Sequence, residues 1–293
     1  MLHGHKSLAR LTIVVLIYLQ SAFGQTFTLD TTTTLLGGFY DDAAWGDYDN
    51  DGDLDILFVG VKDFWRNMFT RIYRNDGQGK FMDIGAKLVD AGFSAVDWGD
   101  YDRDGDLDFV MTGQMGSLQY TAKIYRNDGS GAFADINGLW PELNTPVKVI
   151  WGDFDNDGDL DLLLSGIYYV PPNSYFATKI YRNIGKDRFV DTNISFDLAA
   201  SIADWGDFDN DGDLDIILAG SIDSFGNTVS RIYRNDSEKF VDIKADIAAV
   251  NAGDVKWGDY DSDGDLDFII SGIKNDGTGR ISLIYRNDGH GQF

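Results

Sequence analysis

Five loops in this chain place aspartates at alternate positions around a fixed glycine. They read WGDYDNDGDLD from Trp45, WGDYDRDGDLD from Trp98, WGDFDNDGDLD from Trp151, WGDFDNDGDLD from Trp205 and WGDYDSDGDLD from Trp257. Counted from the aspartate after Trp-Gly, the acids fall at positions 1, 3, 5, 7 and 9, with Gly at 6. They are Asp47, Asp49, Asp51, Asp53 and Asp55 in the first loop and Asp100, Asp102, Asp104, Asp106 and Asp108 in the second. The third has Asp153, Asp155, Asp157, Asp159 and Asp161, the fourth Asp207, Asp209, Asp211, Asp213 and Asp215, and the fifth Asp259, Asp261, Asp263, Asp265 and Asp267. Side chains at 1, 3, 5 and 9 and a backbone carbonyl at 7 are how a short loop surrounds a hard cation with oxygen, and Gly at 6 permits the sharp turn. An all-oxygen donor set on a flexible loop favours Ca²⁺ over Zn²⁺ and over Mg²⁺, which prefers to keep its waters. About five structural calcium ions are expected, relieving a repulsion of roughly 1–4 kcal/mol per carboxylate pair.

The helix-flanked calcium loop needs a bidentate Glu at position 12. Here position 12 is Phe58, Met111, Leu164, Leu218 or Ile270, each inside an apolar run, so that reading fails five times. The chain has no cysteine, which excludes disulfides, thiolate chemistry and cysteine zinc sites.

The elements that position these loops repeat with them. The Trp-to-Trp steps are 53, 53, 54 and 52 residues, a period that signals repeated supersecondary units. After each loop comes a near-continuous apolar run ended by Gly (LDILFVG, LDFVMTG, LDLLLSG, LDIILAG, LDFIISG), the pattern of a strand buried on both faces. A variable stretch leads to RIYRN, KIYRN, KIYRN, RIYRN or LIYRN and then to NDGQG, NDGSG, NIGKD, NDSEK or NDGHG, hairpin turn signals. A fourth strand starts at Phe81, Phe133, Phe189 and Phe240. Four short antiparallel strands per unit predict an all-β fold, a β-propeller of four-stranded blades with five repeats. The five repeated Trp read as core between blades. Phe27 in QTFTLD and Phe293 share nearly the same phase, so the N-terminal strand is placed to complete the last blade and close the ring. A fragment of a larger ring is the rival reading.

The 293 residues, 43% hydrophobic, are ample for a core. The formal charge of −24 makes a phosphate backbone a poor partner, so no nucleic acid is expected. Residues 1–24 combine a basic start, the apolar run Leu11 to Leu19, and small Ala22 and Gly24, which reads as a secretory signal cut before Gln25. The domain then runs from 25 to 293, secreted or at the cell surface, with no membrane span after cleavage. Asn193-Ile-Ser and Asn235-Asp-Ser match glycosylation acceptors.

With these motifs quoted, the chain resembles the FG-GAP/VCBS repeats of integrin α-subunit propellers and of many secreted bacterial proteins. The resemblance covers Phe27 to Phe293. It implies calcium in the hairpin joining the first and second strands of each blade. It departs in having five units where integrin propellers have seven. Such proteins include adhesion proteins, lectins and some polysaccharide lyases, so the resemblance does not fix a function.

In such a blade the calcium loops and Asn-Asp-Gly turns share one end. The least repeated segments, 61–70, 114–122, 167–178, 221–230 and 273–282, lie at the other, where binding usually resides. Their aromatics Phe64, Trp65, Tyr120, Tyr168, Tyr169, Tyr175, Phe176 and Phe225 are candidates to stack on sugars or anchor a protein. The expected function is a calcium-binding module for glycans or cell-surface proteins. The alternatives are a scaffolding domain of a larger secreted protein and a calcium-dependent polysaccharide lyase using Lys62, Arg66 or Tyr169. A catalytic triad lacks a base, since the mature chain's one histidine is His290, and Asp63, Glu142, Asp223 and Asp276 show no pairing pattern.

Overall fold

Alternating apolar runs and turn residues fold into antiparallel sheets throughout the computed structural model, which describes residues 35–63, 66–116, 119–129, 131–137, 143–275, 279–289 and 293. Blade 1 is β1 (Phe39–Gly46), β2 (Asp55–Asp63), β3 (Arg66–Asn75) and β4 (Phe81–Asp83). Blade 2 is β5 (Gly92–Gly99), β6 (Asp108–Met115), β7 (Gln119–Asn127) and β8 (Phe133–Asp135). Blade 3 is β9 (Leu143–Gly152), β10 (Asp161–Val170), β11 (Asn173–Asn183) and β12 (Phe189–Phe196). Blade 4 is β13 (Ala199–Gly206), β14 (Asp215–Ser221), β15 (Thr228–Asn235) and β16 (Phe240–Asp242). Blade 5 has three described strands, β17 (Val250–Gly258), β18 (Asp267–Lys274) and β19 (Arg280–Tyr285). Every sheet runs in sequence order with antiparallel neighbours, so the protein is the all-β, five-blade propeller expected from the repeat. Among the described residues no helix is long and apolar enough to cross a membrane.

Within a blade the register is set by the loop: Gly46 pairs with Asp55 and Trp45 with Ile56, and the same pairing recurs as Gly99 with Asp108 and Gly152 with Asp161. In blades 1 to 4 the second strands are buried on both faces, as their unbroken apolar runs predict: Ile216, Ile217 and Leu218 are all inaccessible, whereas Ile269 of blade 5 is 48% exposed.

The core is divided among the junctions between blades. Leu57 and Ile72 of blade 1 pack with Phe109, Met111 and Tyr125 of blade 2. Val110 and Ile124 of blade 2 pack with Leu162, Leu164 and Tyr181 of blade 3. Leu163 and Ile180 then meet Ile216 and Leu218, and Ile217 and Ile232 meet Phe268 and Ile270. Each fully buried aliphatic side chain of this kind contributes about 1.5–3 kcal/mol, so stability is a sum of nearest-neighbour terms.

An aromatic clasp repeats at the loop end of three junctions. The position-2 ring of one loop stacks on the next blade's Trp: Tyr48 on Trp98 at 6.5 Å, Tyr101 on Trp151 at 5.8 Å and Phe208 on Trp257 at 6.1 Å. The fourth-strand Phe completes each cluster, Phe133 against Tyr48 and Phe189 against Tyr101. Phe293 takes that place in blade 5, with ring centroids 5.6 Å from Phe208 and 5.9 Å from Trp257. Completion of this blade by the strand around Phe27, like the signal segment 1–24, lies outside the described residues. The expectation that all five repeated Trp are core holds for four. Trp45 is 61% exposed, and among the described residues no other blade packs against it.

At the inner strands, carboxylates tie one blade to the next. Asp42 accepts from Val96 N at 3.1 Å, Asp97 from Trp151 N at 2.9 Å and Asp204 from Trp257 N at 3.0 Å. Burial pushes the Asp97 carboxyl up to about 6, against the opposing pull of the Trp151 amide and of Lys148 and Lys256.

Candidate metal centre

Each aspartate loop closes on itself through its own backbone. In the first, Asp47 accepts from Asp51 N and Gly52 N at 3.0 Å each, and Asp51 accepts from Asp53 N at 3.0 Å. The turn needs two left-handed residues. Position 4 has φ of 57° at Asn50, 58° at Arg103, 59° at Asn156, 60° at Asn210 and 63° at Ser262, a region asparagine tolerates better than most residues. Position 6 has φ of 95° at Gly105, where a Cβ would meet nothing within 4 Å, so the backbone rather than space demands glycine there.

This fold brings three carboxylates together in every loop. Ligand oxygens lie within 4.8 Å of one another in the groups Asp47–Asp49–Asp55, Asp100–Asp102–Asp108, Asp153–Asp155–Asp161 and Asp207–Asp209–Asp215, positions 1, 3 and 9. In the fifth loop the group is Asp259, Asp261 and Asp263, positions 1, 3 and 5. In every loop the position-5 carboxylate also accepts from its own backbone: Asp104, Asp157, Asp211 and Asp263 accept from Asp106 N, Asp159 N, Asp213 N and Asp265 N.

Position 7 faces away from the cluster and toward the preceding blade. Asn50 Nδ2 donates to Asp106 at 2.8 Å and to Gly105 O at 3.0 Å, and Asn156 and Asn210 make the same pair of bonds to Asp213 with Gly212 O and to Asp265 with Gly264 O. In the remaining junction Arg103 replaces Asn and pairs with Asp159 at 2.9 Å. The side chains of Asp106, Asp159, Asp213 and Asp265 are therefore links between neighbouring loops. Asp53, in the first blade, lies against Gly77 of its own hairpin.

Position 9 is buried and anchors the loop to the sheet. Asp108 accepts from Asn127 N at 2.8 Å and Tyr101 N at 3.1 Å, and Asp161 accepts from Asn183 N at 2.8 Å and Phe154 N at 3.3 Å. Burial raises Asp55 to about 6 and Asp108, Asp161 and Asp215 to about 7 despite these amides. Asp49, Asp102, Asp155 and Asp209 at position 3 are raised as well, first by burial and next by the position-5 carboxylate beside each. Arg182 offsets part of this in the third loop, 2.7 Å from Asp155.

The cluster fits a cation. Buried Asp49 Oδ1 and Asp153 Oδ1 have no hydrogen-bond partner, which is costly unless something positive lies against them. Positions 1, 3 and 9 supply hard oxygens, and a dication would offset the burial, and the neighbouring acids, that raise the carboxyls at positions 3 and 9 of the first four loops.

The asparagine of IYRN is a functional residue that the loop pattern does not disclose. Asn127 Nδ2 reaches back to Tyr48 O in the preceding blade at 2.8 Å, and Asn183 to Tyr101 O at 2.8 Å, Asn235 to Phe154 O at 2.9 Å and Asn287 to Phe208 O at 2.7 Å. Each carbonyl lies between the position-1 and position-3 aspartates, so one blade holds the aspartate loop of the blade before it. The signal in the sequence was the asparagine's recurrence in phase. Asn235 is fully buried in this role, which overturns its reading as a glycosylation acceptor, whereas Asn193 is exposed.

The family model described as FG-GAP-like repeat matches residues 113–164 and 207–270. The chain carries FG-GAP-like repeats. The matched stretches contain the aspartate loops of blades 3, 4 and 5 and the start of the apolar strand after each, and the same geometry recurs in blades 1 and 2. Cartilage acidic protein 1 of Xenopus tropicalis is 31% identical over 160 residues, covering 50% of this chain and 24% of that protein. The Homo sapiens protein of that name is 30% identical over 161 residues, with the same coverage. The chain thus spans about a quarter of the length of the curated relatives it matches. Among solved structures, a glycoside hydrolase aligns with TM-score 0.47 at 12% identity, over 86% of this chain and 89% of its own. The Vibrio cholerae biofilm matrix protein Bap1 aligns with TM-score 0.43 at 15% identity, over 79% and 34%.

The opposite end of the FG-GAP-like blades carries the hairpins between second and third strands. Phe225 is 90% exposed at one tip, and Tyr169 is 46% exposed beside the Pro171-Pro172 turn. Tyr168 is buried, stacked on Tyr175 at 5.6 Å with Lys179 over its ring at 4.9 Å and its hydroxyl donating to Leu164 O. It is a packing residue of the longest hairpin. Tyr120, Tyr175 and Phe176 are half-buried, while Phe64 and Trp65 lie outside the described residues.

Proposed function

We propose that this protein is a secreted, calcium-stabilised propeller that binds glycans or extracellular proteins through its hairpin-tip end and catalyses no reaction. The observation that carries this reading is the separation of roles along each blade. The five acidic clusters and their couplings occupy one end, which repeats closely from unit to unit. The other end varies in length and sequence and presents Phe225 and Tyr169 to solvent. A rigid scaffold with variable, aromatic-bearing tips is the usual architecture of a binding surface. Calcium is the ion the loops favour, by their hard oxygens and by the unpartnered Asp49 and Asp153 atoms. A secreted location accords with the basic and apolar first 24 residues and with relatives named for cartilage.

The test is a screen of glycans and matrix proteins against the calcium-loaded protein and its Phe225→Ser and Tyr169→Ser variants. Retention that both variants weaken supports the reading. Retention that neither alters would move binding away from this end, and unsaturated sugar products would make the protein a lyase.

A further inference from the structure

In blade 1 an aspartate carboxylate occupies a place where blade 4 has alanine. The short fourth strands pair only with the end of the third, at Tyr73 to Asn75 in blade 1 and at Tyr233 to Asn235 in blade 4. The earlier half of each third strand is flanked by the connector to the next blade. The two connectors run in step. Ala91 N donates to Thr70 Oγ1 at 3.3 Å and Val250 N to Ser230 Oγ at 3.2 Å, while Leu88 N and Ile247 N donate to Ala86 O and Ala245 O at 3.0 Å each. Just before Ala91 stands Asp90, whose Oδ1 accepts from Thr70 N at 3.1 Å and from Arg71 Nη1 at 2.7 Å. Just before Val250 stands Ala249.

Blade 4 thus keeps both donors and lacks the acceptor. Ser230 N faces the connector, two residues along the strand from Thr228 N, which donates to Asn275 Oδ1 at 3.0 Å. Arg231 Nη1 donates to the Tyr233 hydroxyl at 3.0 Å. Its Nε is 3.8 Å from Asp242, which pairs with Lys244 at 2.7 Å instead. Ala249 lines two grooves, one of about 290 Å³ with Ser230, Arg231 and Lys244, the other of about 320 Å³ with Lys274 and Asn275. Three cations and one carboxylate, Asp242, therefore line them, in a chain of formal charge −24. In blade 3 the matching residue, Ala199, is buried, and Lys179 is held by Asp191 at 3.0 Å, so the opening is not repeated there.

We propose that the groove around Ala249 binds the carboxylate of an acidic sugar, with Ser230 N and Arg231 making the two bonds that Asp90 receives in blade 1. The inference rests on the reading that this end of the propeller binds glycans. An amide and a guanidinium closing on one carboxylate form a charge-assisted pair that a neutral sugar cannot match. Val229, Ala245 and Ile247 add apolar lining beside the polar groups of Ser230, Lys274 and Asn275, which suits a ring with an apolar face and a hydroxyl edge.

The test is a ligand-observed NMR titration of the full chain in calcium, with glucuronate, its methyl ester, glucose and a polyglutamate peptide. Glucuronate should bind, and the ester and glucose should bind roughly tenfold more weakly or not at all. Ala249→Asp supplies the carboxylate from within, as blade 1 does, so it should abolish glucuronate binding without lowering the melting temperature. Arg231→Gln, which keeps a donor for Tyr233, should weaken binding roughly tenfold. Absence of glucuronate binding, equal binding of glucose or the ester, or binding that survives Ala249→Asp would overturn the proposal. Equal binding of the peptide would overturn the assignment to a sugar. Binding lost in Phe225→Ser and Tyr169→Ser but kept in Ala249→Asp would overturn this site and leave the hairpin-tip reading standing. Loss in Ala249→Asp alone would support this site and not the tip aromatics.

Discussion

Removing the side chain of Asn183 should break one junction and weaken a metal loop that belongs to a different blade. Asn183 is almost completely buried, and its Nδ2 donates to Tyr101 O at 2.8 Å and Leu160 O at 3.2 Å while its Oδ1 accepts from Gly185 N at 2.9 Å. Alanine deletes three hydrogen bonds worth about 1 kcal/mol each and strands a buried carbonyl, whose desolvation adds about 1–3 kcal/mol. The expected loss for Asn183→Ala is about 4–6 kcal/mol. Asn75→Ala is the internal control: its Nδ2 bonds only Leu54 O at 3.2 Å among the described residues, its Oδ1 accepts from Gly77 N at 3.1 Å and its side chain is half-buried, so about 2 kcal/mol is expected. Urea denaturation in calcium, followed by tryptophan fluorescence, measures both. Calorimetric calcium titration supplies the second readout. The weakened site should be the loop Asp100–Asp108 of blade 2, because the released carbonyl lies between Asp100 and Asp102. The same two aspartates offer the readout's control, since Asp102→Asn should abolish that site alone. Equal losses for Asn183→Ala and Asn75→Ala, or five unchanged sites, would refute the idea that each blade holds its neighbour's loop.

Other perturbations separate the forces involved. Gly152→Ala places a methyl within 2.9 Å of three Trp205 atoms and should cost about 1–3 kcal/mol, whereas Gly258→Ala, with open space around it, should leave the melting temperature of the monomer unchanged. Calcium at about 10 mM should stabilise the fold by about 1.4–2.7 kcal/mol per filled loop, for dissociation constants near 10⁻⁴ to 10⁻³ M, and excess chelator should reverse the gain in a thermal melt. Asp159→Asn at position 7 should lower stability by no more than about 1 kcal/mol while leaving calcium stoichiometry intact, since its partner is Arg103 at the surface. Asp97 binds its proton more tightly in the fold, up to about 6, than unfolded, so it should erode stability as pH rises from about 4 to 6, by at most about 3 kcal/mol. Asp97→Asn should flatten that part of the pH profile of denaturant midpoints.

The sequence by itself determined the repeat, the strand order within a blade and the acidic loops. Each of these is local: a loop of nine residues closes through its own amides, and a strand's two buried faces show as an unbroken apolar run. It also showed which tryptophans recur, but not that Trp45 differs from Trp98, Trp151, Trp205 and Trp257, because a residue cannot disclose whether a neighbouring blade lies over it. The division of labour among the aspartates was likewise hidden. Asp106 and Asp108 look alike in the sequence, yet one turns to Asn50 of the preceding blade and the other anchors its loop to Asn127 and Tyr101. The staple asparagines, the aromatic clasps and the glycines that a neighbouring blade closes over were decided only by tertiary structure. All three arise from contacts between residues some 50 to 80 positions apart, where the spatial repeat rather than the local chain sets which groups meet.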